Sequence, residues 1–139
     1  MTQPEQTTVR RLGPGDDDVV RTLAEREPQL GLLKDEATIF LAAFQGTQPV
    51  GFVFGYELPR RHGAPSILFI YEIEVDPACR RQGIATRLMT ELERIARARG
   101  ITEGFVLTEP DNAPANVLYE SLGGERSDTV MWDYRYADS

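Results

Sequence analysis

Arg80-Arg81-Gln82-Gly83-Ile84-Ala85 sets two guanidinium groups directly before a glycine and the apolar start of a helical pattern. Cations at a helix N-terminus oppose the helix dipole, so helix stability alone does not put them there. An anion bound at the helix start resolves the conflict. Free backbone N–H groups and the positive dipole end both attract phosphate oxygens. Gly83 lets such a ligand approach the main chain with no Cβ in the way. Taken alone, the six residues fit equally well two solvated loop arginines and a glycine that only makes a turn. There is no G-x-G-x-x-G after a strand and no G-x-x-x-x-G-K-[ST], so the loop is neither a dinucleotide fingerprint nor a P-loop.

The other reactive side chains are sparse. His62 is a lone histidine beside two arginines in a polar stretch and reads as a surface residue. Cys79 is the one cysteine, has no partner for an internal disulfide, and fits a reducing cytoplasm. No His, Cys, Asp and Glu grouping has metal-ligand spacing, and no metal is expected.

The elements that must position the loop follow from periodicity. Ile67 to Val75 (ILFIYEIEV) is the strongest strand pattern and closes at Asp76-Pro77. On it, alternation puts Glu72 and Glu74 on the face opposite Tyr71 and Ile73. Ile84, Ala85, Leu88, Leu92, Ile95 and Ala96 recur at helical spacing, with Gly100 placed to cap that helix. Upstream, Thr8 to Leu12 reads as a first strand and Asp16, Asp17 and Asp18 start a helix through about Arg26, which Pro28 ends. Leu30 to Glu36 follows as a short helical turn. Thr38 to Phe44 and Pro49 to Leu58 form a hairpin around Gln45-Gly46-Thr47-Gln48. Downstream come a strand at Phe105 to Thr108, a helix over Asn112 to Leu122 with Pro114 in its first turn, and a last strand at Thr129 to Tyr136. This order gives an α/β layer whose sheet is mixed and mostly antiparallel, flanked by helices.

At 139 residues and 41% apolar, the chain has the size and composition of one folded domain, 1–139, with no repeat or linker to split it. No apolar run reaches the roughly 20 residues of a membrane span, and Met1 to Arg11 lacks the apolar core of a signal peptide. Cytoplasmic localisation is the expectation. A net charge of −7 argues against nucleic-acid binding driven by phosphate neutralisation. It suits a cationic substrate, and equally a charge that only keeps the protein soluble.

Arg80 to Ala85 resembles the [RQ]-x-x-G-x-[GA] pyrophosphate loop of the GNAT (Gcn5-related) N-acetyltransferases. Asn112-x-x-Ala115-x-x-Leu118-Tyr119-Glu120-x-Leu122-Gly123 resembles that family's N-x-x-A-x-x-L-Y-E-x-x-G helix. The two lie in the family's order, separated by a helix and a strand, and the resemblance runs from about Val9 to the chain end. It implies the GNAT fold, acetyl-CoA as co-substrate and transfer of acetyl to an amine.

By that resemblance, the main chain around Arg81, Gln82, Gly83, Ile84 and Ala85, with Arg80 and Thr86, holds the CoA pyrophosphate. Ile73, Glu74 and Val75 pair with the pantetheine arm, and their amides support the thioester oxygen as charge develops. The cofactor enters between this strand and the one at Phe105 to Thr108. Asn112, Ala115 and Tyr119 of the second motif contact the cofactor, and Tyr119 protonates the departing thiolate, whose reference pKa is about 8.5. An amine that is protonated at neutral pH needs a proton acceptor, and Glu72 and Glu109 are the candidates, although a solvent-facing role remains open for each. Homodimers are common among proteins with this resemblance.

Part of the chain is similar to the aminoglycoside 3-N-acetyltransferases of this superfamily: Tyr56-Glu57-Leu58-Pro59, Ile70 to Val75 and Arg80 to Thr86 match their motifs. Pro114, Ala115, Leu118 and Tyr119 match their D-P-A-x-A-L-Y helix, and Trp132-Asp133 lies where they have F-D. This implies antibiotic modification, with Glu57, Glu72, Glu109, Asp111 and Asp133 forming an acidic acceptor pocket. The stretch from Arg26 to Ile39 is shorter than theirs and lacks their aromatic-rich segment. Another small amine, a polyamine or a protein N-terminus therefore stays open as acceptor, as does a non-catalytic acyl-CoA-binding domain, against which Tyr119 and Glu109 speak.

Overall fold

The computed structural model describes residues 6–137 and divides into two compact units, one ending at Leu107 and the other beginning at Thr108. The N-terminal stretch read for a signal peptide lies in part, at 1–5, outside the described residues.

The first unit is a five-stranded sheet in sequential order: β1 (Thr7–Arg11), β2 (Thr38–Gln45), β3 (Gln48–Leu58), β4 (Ile67–Val75) and β5 (Glu103–Val106). The first three pairings are antiparallel and β4–β5 is parallel, which gives the expected mixed, mostly antiparallel sheet. A parallel pair needs a crossover, and α2 (Ile84–Ala98) provides it.

The two sheet faces bury different residues of the same strands. β2 is apolar from Ile39 to Phe44, as a strand covered on both sides should be. Its Ile39, Leu41 and Ala43 pack with the Ile84, Leu88, Leu92 and Ala96 row of α2. Its Phe40, Ala42 and Phe44 pack with Phe52, Phe54, Val20 of α1 (Asp17–Leu23) and Leu33 of a 3-10 turn, Leu30–Lys34. Residues four apart fall on one helical stripe, so the buried row of α2 needs no other cause.

α1 is shorter than its sequence suggests, stopping at Leu23 with extended backbone at Ala24. Pro28 also disfavours helix at the preceding residue, and residues 24–29 become an irregular segment over the sheet face. Asp16, expected as a capping side chain, instead accepts from the Gly13 N–H at 2.8 Å and pairs with Arg10 at 3.0 Å.

The second unit contains α3 (Ala113–Ser121). The strand expected at Thr129 to Tyr136 does not form. Its residues have high strand propensity, but propensity alone does not make a strand. Residues 125–136 join no ladder, and Trp132 and Tyr136 are 78% and 94% exposed. Among the described residues, no helix is long and apolar enough to cross a membrane, and no His, Cys, Asp and Glu group is placed to hold a metal ion.

Candidate active site

β4 carries the site in the first unit. Its first four residues, Ile67 to Ile70, pair with β5 on one side and β3 on the other. β5 then ends at Val106, while β4 continues to Val75, paired only with β3. The backbone groups of Tyr71 to Val75 that point away from β3 therefore have no ladder partner. The opening expected between these two strands is present.

The β3–β4 register slips beside this opening. Phe54 lies opposite Glu72 but Gly55 lies opposite Ile70, which leaves Tyr71 as an extra residue on β4. A Cβ on Gly55 would come within 2.8 Å of the Phe69 carbonyl oxygen, so only glycine allows this approach. The bulge also changes one expected face. Ile73 packs on the α2 side, opposite Glu72 and Glu74, as alternation requires. Tyr71 does not, because its ring lies 5.3 Å from Phe54 and 5.7 Å from Tyr56, on the face that carries Glu72.

Beyond Val75 the chain turns through Asp76, whose carboxylate accepts from the Ala78 N–H at 2.9 Å and opens a one-turn 3-10 segment, Pro77–Cys79. Arg80 folds back to donate to the Val75 carbonyl at 3.2 Å. Arg81 has φ 64° and Gly83 has φ 75°, both left-handed, on either side of Gln82. Such a run turns successive N–H groups toward one concavity, a common anion-binding shape. Outside glycine, that conformation costs about 1–2 kcal/mol, so strain at Arg81 sits where an anion would be held. The first turn of α2 has no acidic residue, and a Cβ built on Gly83 would meet open space. The loop therefore fits a diphosphate group.

The Gln45 side chain, at the end of β2, reaches this loop. Its Nε2 donates to Gln82 Oε1 at 2.8 Å, and Cys79 Sγ donates to its Oε1 at 3.7 Å. The sequence places Gln45 in a hairpin turn and gives it no contact with this loop. Nothing in the local pattern marks a residue 37 positions away as its partner.

On the α1 face of β4 lies a cavity of about 430 Å³. Phe40, Phe52 and Phe54 form its apolar wall, Glu72 and Glu74 enter from β4, and Glu25, Arg26 and Glu27 enter from the segment after α1. Burial raises the Glu72 carboxyl above its ordinary pKa, and the nearby negative charges of Glu74 and Glu25 add to the shift. A carboxylate so placed is a better proton acceptor than a solvated one. Glu25 was not anticipated, because the expected helix ran past it to Arg26.

Glu57 does not line this cavity. Its carboxylate pairs with Arg99 at 3.3 Å, and Arg99 also donates to the Glu36 carbonyl at 2.7 Å. The pair ties the end of α2 to the sheet.

In the second unit, Asn112 caps α3 as its motif suggests, its Oδ1 accepting from the Ala115 N–H at 3.3 Å. Asn116 Nδ2 donates to the Glu109 and Asn112 carbonyls at 3.2 and 2.9 Å, which closes the Glu109–Asn112 loop. Glu109 and Asp111 are exposed, and Asp133 lies in the stretch without regular structure. Tyr119 is half-buried, and burial pushes its hydroxyl above the ordinary tyrosine pKa.

The sequence profile of the Acetyltransferase (GNAT) family matches residues 7–124, most of the chain and parts of both units. The chain belongs to the GNAT family. This GNAT chain is 37% identical over 79 residues to an L-2,4-diaminobutyric acid acetyltransferase from Streptomyces coelicolor, covering 56% of the chain and 45% of the relative. It is 30% identical over 138 residues to a mycothiol acetyltransferase from Streptomyces scabiei, covering 86% and 43%. The chain thus spans less than half the length of these curated relatives. A crystal structure of an aminoglycoside acetyltransferase from an uncultured soil metagenomic sample superimposes with a TM-score of 0.85 at 28% identity, covering 95% of this chain and 99% of that one.

Proposed function

We propose that this GNAT chain is an acetyl-CoA-dependent N-acetyltransferase that acetylates a primary amine by direct attack, with aminoglycosides as the first candidate acceptors. The observation that carries the reading is the arrangement around β4. One strand has unpaired backbone groups, an anion-shaped loop at its end and a carboxylate-bearing cavity on one face.

Acetyl-CoA supplies the activated acyl thioester. Main-chain N–H groups from Arg81 to Ala85 hold its pyrophosphate, with Arg80 and Thr86 beside them. Ile73, Glu74 and Val75 offer backbone groups to its pantetheine arm, and an amide from this run stabilises the oxyanion of the reacting carbonyl. Glu72 takes the proton of the acceptor ammonium, with Glu109 the alternative base, and Tyr119 returns a proton to the departing sulfur. Asn112 and Ala115 fix the start of the helix that carries Tyr119.

Similarity to the soil aminoglycoside acetyltransferase supports an aminosugar, and 3-N regiochemistry rests on the Tyr56–Pro59 and Ile70–Val75 motifs. Similarity to the diaminobutyric acid enzyme supports a smaller amine as second reading. Asp111 and Asp133 remain candidate acceptor contacts in either. Glu57 leaves that set, because Arg99 engages it.

Acetylation of a panel of gentamicin-like aminoglycosides, polyamines and peptide amines, read by mass spectrometry, tests the reading. Product on an aminosugar or a small amine is the expected result. Activity confined to peptides would remove the small-molecule acceptor, and CoA binding without turnover on any amine would leave only a binding domain.

A further inference from the structure

Resting on the acetyltransferase reading, we propose that the cavity on the α1 face selects a small acceptor carrying a second ammonium group, and that Glu25 is the residue that holds it. About 430 Å³ is near the lower end of small-ligand sites, room for a short chain or one to two rings. Phe40, Phe52 and Phe54 lie within 5.3–6.3 Å of one another, two of the three pairs stacked. The faces of such rings attract cations as well as carbon.

The charges then distribute over two sides. Glu72 and Glu74 come from β4, where the proton of the reacting amine must go, while Glu25 and Glu27 come from the segment after α1. None of these four carboxylates makes an ion pair or side-chain hydrogen bond among the described residues. Elsewhere Glu57, Glu91, Glu93 and Glu103 each pair with an arginine. Four carboxylates against one guanidinium, Arg26, leave the lining acidic. A monoamine would answer only the β4 side. A dication answers both.

Glu25 is the residue to single out, for two reasons. Its charge reaches Glu72 closely enough to contribute to that carboxyl's raised pKa. It also lines a second cavity of about 270 Å³ that shares Glu74 with the first and has Arg80 in its lining. A cation bound at Glu25 would offset the negative charge facing Glu72. Second-ammonium binding and base strength at Glu72 are thereby coupled.

The test compares cadaverine with pentylamine, matched in length and differing by one ammonium, in the wild type and in Glu25→Gln. Steady-state acetylation gives KM and kcat, and calorimetry of each amine against the CoA-loaded protein gives affinity without turnover. The wild type should prefer cadaverine by about tenfold or more, the size of one charge-assisted contact. Glu25→Gln should reduce that preference to within about threefold, because cadaverine KM and affinity suffer far more than those of pentylamine. Equal preference in wild type and variant, or an equal loss for both amines, would overturn the role of Glu25. Turnover of neither amine, and of no aminosugar, would count against the acetyltransferase reading instead, while the calorimetric comparison still decides the role of Glu25.

Discussion

The Gln45 amide donates to the Gln82 side-chain oxygen at 2.8 Å, joining the end of β2 to the loop that opens α2. Gln45 also accepts from Cys79, so one side chain spans both ends of the turn that would hold the CoA diphosphate. Replacing it removes two contacts from the loop and none from the acceptor cavity. A hydrogen bond of this kind contributes about 0.5–1.5 kcal/mol. Gln45→Ala should therefore raise KM for acetyl-CoA by about two- to tenfold while kcat and acceptor KM stay close to wild type. Initial rates with each substrate varied in turn would show it.

Arg81 and Gly83 separate strain from binding. Arg81 holds φ 64°, and Arg81→Gly removes a backbone cost of about 1–2 kcal/mol at the expense of chain entropy worth about 0.5–1 kcal/mol. The melting temperature should hold or rise, while the Kd for CoA increases with loss of a cation. Gly83→Glu acts oppositely on the first quantity, forcing a side chain into φ 75° and a negative charge toward the diphosphate. It should lower both stability and CoA affinity. Calorimetry and thermal melts on the two variants give the contrast.

Glu72 couples catalysis to stability. Its pKa is raised in the folded state, so the folded protein holds this proton more tightly than the unfolded chain. The group's contribution to stability is then fully present below the unfolded value of about 4 and is lost as pH rises through the raised folded value. Glu72→Gln, which cannot ionise, should gain in melting temperature over the wild type as pH rises through that range. The same variant should lose about 10²-fold or more in kcat if this carboxylate is the base. A kcat within about threefold of wild type would move that role to Glu109.

Tyr119→Phe removes the hydroxyl that the proposal assigns to the departing sulfur. Its expected effect is a fall in kcat of about 10-fold to 10²-fold, with KM for acetyl-CoA little changed. The raised pKa of this phenol keeps it protonated throughout the neutral range, so the alkaline limb of the wild-type pH–rate profile should not begin near neutrality.

Much of this was readable from the chain because local rules and the fold agree. ILFIYEIEV is β4 residue for residue, and the Ile84, Leu88, Leu92, Ala96 row is the buried stripe of α2. The Asn112 cap and its Pro114 likewise follow from position alone. What local patterns did not contain was contact across the chain. Gln45 meets Gln82 only because β2 runs beside the loop, and Glu57 meets Arg99 only because α2 returns to the sheet. The Tyr71 face changed because a bulge breaks the period of two, a register property of two strands rather than one. Residues 129–136 have strand propensity but form no strand, because propensity describes single residues and not a pairing.

Free-thiol release from acetyl-CoA, followed with and without an added primary amine, tests the central claim most directly. The expected result is release that depends on the amine, matched by an acetylated product and reduced in Glu72→Gln. CoA binding with no amine-dependent release, on aminosugars, diamines and peptides alike, would contradict it.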